Sequence, residues 1–482
     1  MPLLAKLTCA WMLGIIISDF QYQKIAIWLG ALISLFFCVK KKYISLLYVV
    51  ICMVGMGRMY YAQSSIPYHP FPKAQWYTIS DNRTNWQAQK ITAFARDGQG
   101  LVTTLPLNPP HYPGEAILLT GQPQRLTSSH VAYQAQMDRR HIYVTMNNPH
   151  INAIVASQPW RIALEQWRYQ SQHKLQQLFA EPISSVVIGM LIGLNGDVSD
   201  ATAQTFRQTG TSHILVISGW NISIVAVVCM QITARLQQRP WLRAGVVIGA
   251  IIVYVLATGA SAAVVRAGVM GVAVVIGKAL NRPRNAWNML ALAAWVMSAY
   301  DPSVLWDLGF QLSSLATLGL IAFSGTIDTW LEHSPFAHPT LTWGREGLAA
   351  TLAAQMTTWP IMLCRLGTPS PWSILANIII TPIVPFAMAT GTLTLVCAWI
   401  LPFLAPITTW LAYPAFQWII VGSQVLATWP APTQIIIDNP WLEWLGHASW
   451  MGCIVALHWQ NERRAAPLPT NQDDNLIKKW YS

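Results

Sequence analysis

The sequence predicts a polytopic α-helical membrane protein with a small β-barrel domain inserted on its outer side. Three observations carry that fold class. Of 482 residues, 53% are hydrophobic and only 10% charged, against about 25% charged in soluble globular chains. Apolar stretches recur at lengths near the ~20 residues a helix needs to cross a bilayer. From 61 to 150 the pattern changes to short strand-like runs, punctuated by prolines at 67, 70, 72, 106, 109, 110, 113, 123 and 149. A soluble protein is excluded, because its surface would need far more Lys, Glu and Asp. Twenty-four Trp and fifteen Tyr suit rings placed at two bilayer interfaces.

Residues 1–60 hold three apolar runs, ending near Ile17, Val39 and Gly57. Their close succession reads as true spans and not a cleaved leader. Lys40-Lys41-Lys42 between the second and third belongs in the cytoplasm, which sends the chain after Arg58 outside. The net charge of +11 reflects this loop bias first. The seven cysteines lie in or beside apolar runs and form no CxxC, so they read as small buried hydrophobes, with no disulfide framework, metal site or cofactor implied.

Residues 61–150 form the outer domain. Ile91–Phe94, Ala116–Thr120 and His141–Thr145 are its clearest strands, and a closed barrel would remove exposed edges. An OB-like barrel is one such form, and it holds single-stranded nucleic acid in a positive groove with stacking aromatics. Arg83, Lys90, Arg96, Arg125, Arg139 and Arg140 are the candidate contacts. Trp76, Tyr77, Trp86, Phe94, Tyr112, Tyr133 and Tyr143 are the available rings. The same residues read equally as barrel core and solvated face. In 151–182, a linker, Pro159–Phe179 mixes Trp160, Trp167 and Leu175 with Arg161, Arg168, His173 and Lys174. That is an amphipathic helix, lying on the outer membrane surface or packed on the bundle. Its cations would meet an anionic substrate or lipid headgroups.

The main membrane domain is 183–460, followed by a short cytoplasmic tail, 461–482. Residues 183–194 are too short to span alone. Segments follow at 211–233, 242–258, 261–279, 286–300, 303–323, 346–366, 371–401 (broken by Pro382 and Pro385), 405–427 and 440–458. Polar islands interrupt them, and polar groups at that depth usually face a bundle interior or a water-filled path. The first is Gly210-Thr211-Ser212-His213 with Ser218-Gly219-Trp220-Asn221. There His213 is a wall residue, a proton carrier, a substrate contact or a satisfied interfacial histidine. The second surrounds Arg266, which needs a partner such as Asp307 or snorkels to the headgroups. In the third, Asp307, Gln311 and Ser314 at i, i+4 and i+7 share one helix face. The fourth is Asn377 ahead of the two prolines.

These islands resemble the ComEC competence proteins, inner-membrane channels that internalise single-stranded DNA during natural transformation. The resemblance is carried by Phe206–Gly219, by Gly193 with Asp197, by Arg266, by Asp307–Ser313, and by Asn377 with Pro382. It covers roughly 180–430. It implies a non-enzymatic channel in the bacterial inner membrane, with a path lined by His213, Ser218, Asn221, Arg266, Asp307, Gln311 and Asn377. Where relatives have Gly-Leu-His after the serine, this chain has Gly219-Trp220-Asn221, so no proton is available at 221. The metallo-β-lactamase-like domain of many relatives is not expected here, since no His-x-His-x-Asp-His cluster exists, so neither catalytic metal nor DNA cleavage is expected.

The implied partners are single-stranded DNA, a cytoplasmic DNA-translocating ATPase, single-strand-binding proteins, a DNA receptor and separate nuclease outside, and membrane lipids. The motor must be another protein, because no Gly-x-x-x-x-Gly-Lys-Ser/Thr loop is present. Two other classes compete: a transporter or flippase for another anionic solute or lipid, and a membrane-embedded hydrolase built from His213, Ser218 and Asp307.

Overall fold

A computed structural model describes residues 3–19, 50–59, 74–84, 88–106, 108–127, 134, 137–147, 149–194, 198–215, 217, 219–236, 239–281, 285–333, 342–365, 370 and 372–429. The second apolar run, Gly196, Asp197, Ser218, Trp86, Tyr133, the 440–458 segment and the 461–482 tail lie outside the described residues, as does the side chain of Arg83.

The chain divides into two compact units, Met1–Thr317 with Ser370–Ala431, and Leu318–Pro369 with Pro432–Ser482. In the first unit, helices α1 (Leu3–Asp19) and α2 (Val50–Met59) precede a sheet of seven strands. The strands are β1 (Ala74–Thr84), β2 (Gln89–Ala95), β3 (Gly100–Leu105), β4 (Glu115–Thr120), β5 (Pro123–Arg125), β6 (Ile142–Asn147) and β7 (His150–Ala156). Their order is β5-β6-β3-β2-β1-β4-β7. All neighbours are antiparallel except β3 and β6. Alternate residues of the strands, among them Tyr77, Ile79, Ile91, Ala93, Leu101, Ile117 and Val144, fill one buried face.

The sheet curls but does not close, which corrects the expectation of a closed OB-like barrel. β5 and β7 remain edges. β5 is three residues long and begins with Pro123, which has no N–H to give to a ladder. β7 leads instead to a helix, with Ser157 and Gln158 donating to Gly114 O.

That helix, α3 (Pro159–Leu178), packs on the bundle along Arg168, Ser171 and Leu175. Next come α4 (Ile183–Ile192), all ten residues of which are buried, and α5 (Asp200–Gln208), capped by Ser199. The short apolar stretch is therefore a core helix and not a lipid-facing one. Then follow α6 (Gly219–Ile232), α7 (Pro240–Ala257), α8 (Ala262–Ala279) and α9 (Ala286–Tyr300). After a 3-10 turn at Pro302–Trp306 come α10 (Leu308–Leu331) and α11 (Thr342–Arg365). The last described helices are α12 (Ser373–Ile380), α13 (Val384–Ile400) and α14 (Ala405–Ala427).

Five described stretches are long and apolar enough to cross a bilayer: Pro240–Ala257, Ala262–Ala279, Leu308–Leu331, Ser373–Ile400 and Pro402–Ala427. The chain is a polytopic helical membrane protein. The 371–401 region is less broken than its prolines predict, because a single 3-10 turn, Thr381–Ile383, joins α12 to α13. Pro382 and Pro385 both sit in first turns, where no backbone N–H donor is required.

Three buried apolar groups hold the first unit. One joins α3 and α4 to α12, α13 and α14; a second joins α6, α7 and α8. The third joins α1 and α9 to Trp306 and Phe310. Small residues set the close approaches: Cβ atoms added at Gly14 and Gly55 would strike the backbone of Cys52 and Trp11, drawing α1 onto α2. In the second unit, a Cβ at Gly319 of α10 would meet Ala353 O of α11 at 2.2 Å. Arg345 there pairs with Asp328 at 2.8 Å and Glu332 at 3.0 Å.

Candidate functional site

The first polar island is a tight turn followed by a helix start. Gly210 takes φ +71, and a Cβ there would lie 2.5 Å from that of Ser373. Thr209 and Thr211 are fully buried and share a hydroxyl contact of 2.7 Å, while Thr211 N donates to Phe206 O. The Gly-Thr-Ser-His loop is thereby pressed against the start of α12, which carries Asn377. One turn on, Gly219 opens α6 and its missing Cβ would be 3.1 Å from Ala267 on α8. Two glycine contacts thus bring the first island against the helices that carry Arg266 and Asn377, through Ala267 and Ser373.

His213 is exposed at the surface of this loop and hydrogen-bonds the Gly210 backbone. Asn221 lies elsewhere. It is 5% exposed, donates to Met190 O at 3.5 Å and reaches Tyr254, tying α6 to α4 and α7.

Arg266 is 7% exposed, and its Nε and Nη1 find no hydrogen-bond partner among the described residues. The expected pairing with Asp307 does not form. Asp307 Oδ2 instead meets Arg140 Nη2 of the β domain at 3.3 Å, and its Oδ1 accepts from Phe310 N at 3.0 Å. The reason is local. A carboxylate just before a helix caps the free N–H groups of its first turn, which fixes Asp307 at the mouth of α10. Gln311 is also spent locally, donating to Leu305 O at 2.8 Å. The polar stripe predicted on α10 is thus partly a helix cap. Ser314 Oγ and Asn377 Oδ1 remain buried without a described partner.

Of the outer cations, Lys90 and Arg96 are exposed at opposite ends of β2, and Arg125 is exposed on β5. With ~3.4 Å per residue, Lys90 and Arg96 stand roughly 20 Å apart, so they do not form one cluster. Arg139 stacks 4.5 Å over the Trp306 ring and Arg140 pairs with Asp307. These two fasten the turn before β6 onto the membrane helices. Among the rings, Tyr77 is core, Trp76 is exposed, and Tyr112 packs on Tyr169 of α3.

Sequence reasoning missed Arg168. It is 7% exposed, binds both Glu165 oxygens at 2.8 Å and donates to Ile192 O at 3.3 Å. Gly259, at φ +82, lies flat against its guanidinium, and Gly193, at φ +79, packs on Thr258 O. One arginine therefore joins the linker helix, the end of α4 and the turn entering α8. The only local signal is Glu165 three residues before it. Lys174 is likewise turned inward, donating to Ala398 O at 2.9 Å.

Among the described residues no group of three His, Cys, Asp or Glu is placed to hold a metal. Residues 190–463 match the family described as Competence protein. One curated relative, ComE operon protein 3 of Bacillus subtilis (strain 168), is 24% identical over 208 residues, which cover 43% of this chain and 26% of the relative. The chain spans about a quarter of that relative's length. No solved structure matches it.

Proposed function

The chain belongs to the Competence protein family, and from that premise we propose that it is a bacterial inner-membrane channel importing single-stranded DNA in natural transformation. The observation that supports this reading is Arg266, a buried guanidinium whose Nε and Nη1 have no hydrogen-bond partner among the described residues. An uncompensated buried charge is strongly destabilising, and a visiting anion relieves it. A DNA strand brings one negative charge per nucleotide, so successive phosphates meet this cation in turn. A single cation binds each phosphate weakly enough to release it, whereas a row of them would hold the strand. His213, Ser218, Ser314 and Asn377 supply neutral polar groups along the way, and no step requires catalysis.

On this reading the β domain lies outside and receives the strand from a DNA receptor, after a separate nuclease has removed its complement. A cytoplasmic DNA-translocating ATPase and single-strand-binding proteins draw it inward. The test is uptake of end-labelled single-stranded DNA into sealed proteoliposomes that hold single-strand-binding protein as a trap. Protected label is expected with the parent, falling at least tenfold in Arg266→Gln at equal insertion. Equal uptake by the two would remove Arg266 from the path. Transfer of small anions or anionic lipid without DNA would establish the transporter or flippase reading in its place.

A further inference from the structure

Two cations from different helices converge on Met230, in the last turn of α6. Its carbonyl accepts from Arg243 Nη2, near the start of α7, at 2.6 Å. Lys278, in the last turn of α8, brings Nζ to 3.9 Å from Met230 Sδ. Arg239 stands one turn before Arg243, its carbonyl accepting from Arg243 N, and is exposed. Among the described residues neither Arg243 nor Lys278 forms an ion pair, and Arg243 Nε is buried without a partner. No Asp or Glu occurs between 201 and 300 in the sequence. Like charges drawn to one point repel, so the arrangement calls for an anion. Its surroundings select which kind. α7 and α8 are each long and apolar enough to cross a bilayer, which puts a turn at their ends at headgroup level. Ile232, Trp241, Leu242 and Leu280 are exposed, each within two residues of Met230, Arg243 or Lys278. A nucleic acid or a free phosphate would leave those apolar groups wet. A phospholipid covers them, and Trp is enriched at that interface.

We propose that Arg243 and Lys278, meeting over Met230 at the junction of α6, α7 and α8, seat the headgroup of an anionic phospholipid. Basic pockets between membrane helices bind such headgroups. The phosphodiester oxygens accept from the Arg243 guanidinium and from Lys278 Nζ, and Arg239 adds attraction from the rim. The acyl chains lie along the exposed apolar residues at the same helix ends. The lipid thereby ties together three helices that share one apolar group, which includes Ala267 beside Arg266. This seat is separate from the strand path and stands whether or not the chain carries DNA.

Native mass spectrometry of the full-length protein, in dodecyl maltoside micelles containing phosphatidylglycerol or phosphatidylcholine, counts the lipid retained. The parent should hold phosphatidylglycerol in preference, and affinity should fall about fivefold for each cation removed by Arg243→Gln and Lys278→Gln. Equal retention of the two lipids by the parent, or unchanged phosphatidylglycerol binding in the double variant, overturns the site. Arg243 also holds the end of α6, so Lys278→Gln decides if Arg243→Gln inserts poorly. The Lys278 side chain is exposed and touches only the Met230 sulfur among the described residues. A fivefold loss that Lys278→Arg does not show is expected, and no loss overturns the seat. Inorganic phosphate or an oligothymidylate at the lipid's concentration should leave phosphatidylglycerol in place. Displacement by the first would make this a free-phosphate site and by the second a nucleic-acid site, and either overturns the lipid assignment.

Discussion

Replacing Gly259 with Ala probes the junction around Arg168. At φ +82 the backbone is left-handed, and an added Cβ would lie 2.7 Å from Arg168 Nη2 and 3.1 Å from its Cζ. A left-handed conformation costs an L-residue about 1–2 kcal/mol. The guanidinium cannot retreat freely, because Nη1 is held by both Glu165 oxygens at 2.8 Å. The bond most exposed to displacement is Nη2 to Ile192 O at 3.3 Å. Losing a hydrogen bond from a charged group costs about 1.5–3 kcal/mol. The two terms together give roughly 2.5–5 kcal/mol. Detergent-titrated unfolding of the full-length protein from mixed micelles measures it. In an Arg168→Ala background the obstruction is gone, so Gly259→Ala should then cost only the backbone strain. The reasoning is refuted if the two substitutions are additive within about 0.5 kcal/mol, as independent sites are.

Other expectations follow from the same contacts. Arg266→Leu should raise the unfolding midpoint in the same assay while uptake is lost, because it removes a buried charge whose Nε and Nη1 have no partner among the described residues; a lowered midpoint would mean that Arg266 has a structural partner. Gly319→Leu should separate α10 from α11, since even a Cβ would meet Ala353 O at 2.2 Å. A cysteine pair engineered across that contact should lose its crosslink, and retained crosslinking would argue against close packing. Burial, with a smaller contribution from Asp97, pushes the Tyr77 phenol up to about 12. The unfolded chain ionises first, so sheet stability is intact below about pH 10 and falls as pH rises towards 12. Protease sensitivity of the β domain should climb in that window, and Tyr77→Phe should reduce the climb without removing it, because burial also raises Tyr112 and Tyr143.

Much of the site was legible as a set of residues and little of it as a set of contacts. Arg266 and Asp307 stand out in sequence because each is a charge beside an apolar run, and the sequence leaves Arg266 either paired with Asp307 or snorkelling to the headgroups. The carboxylate instead takes the nearest free helix N–H and an arginine 167 residues away. For the helix of Arg168 the sequence leaves open the membrane surface and the bundle, because an amphipathic pattern shows which face is polar but not what covers it; the structure selects the bundle. Tyr77 and Trp76 are adjacent and equally aromatic, yet the pleat sends one to the core and the other to solvent.

The sequence by itself determined the membrane class, the positions of the long apolar helices and the presence of strands within 61–150, though not β7, which runs on to Ala156. These depend on hydropathy and period, which are properties of neighbouring residues. Only the tertiary structure decided that the sheet stays open, that glycines at 210 and 219 seat the first polar island against α12 and α8, and that Arg139 and Arg140 rest on Trp306 and Asp307. Each of these is a pairing between distant segments, selected by which donors and surfaces remain unsatisfied after the local structure has formed.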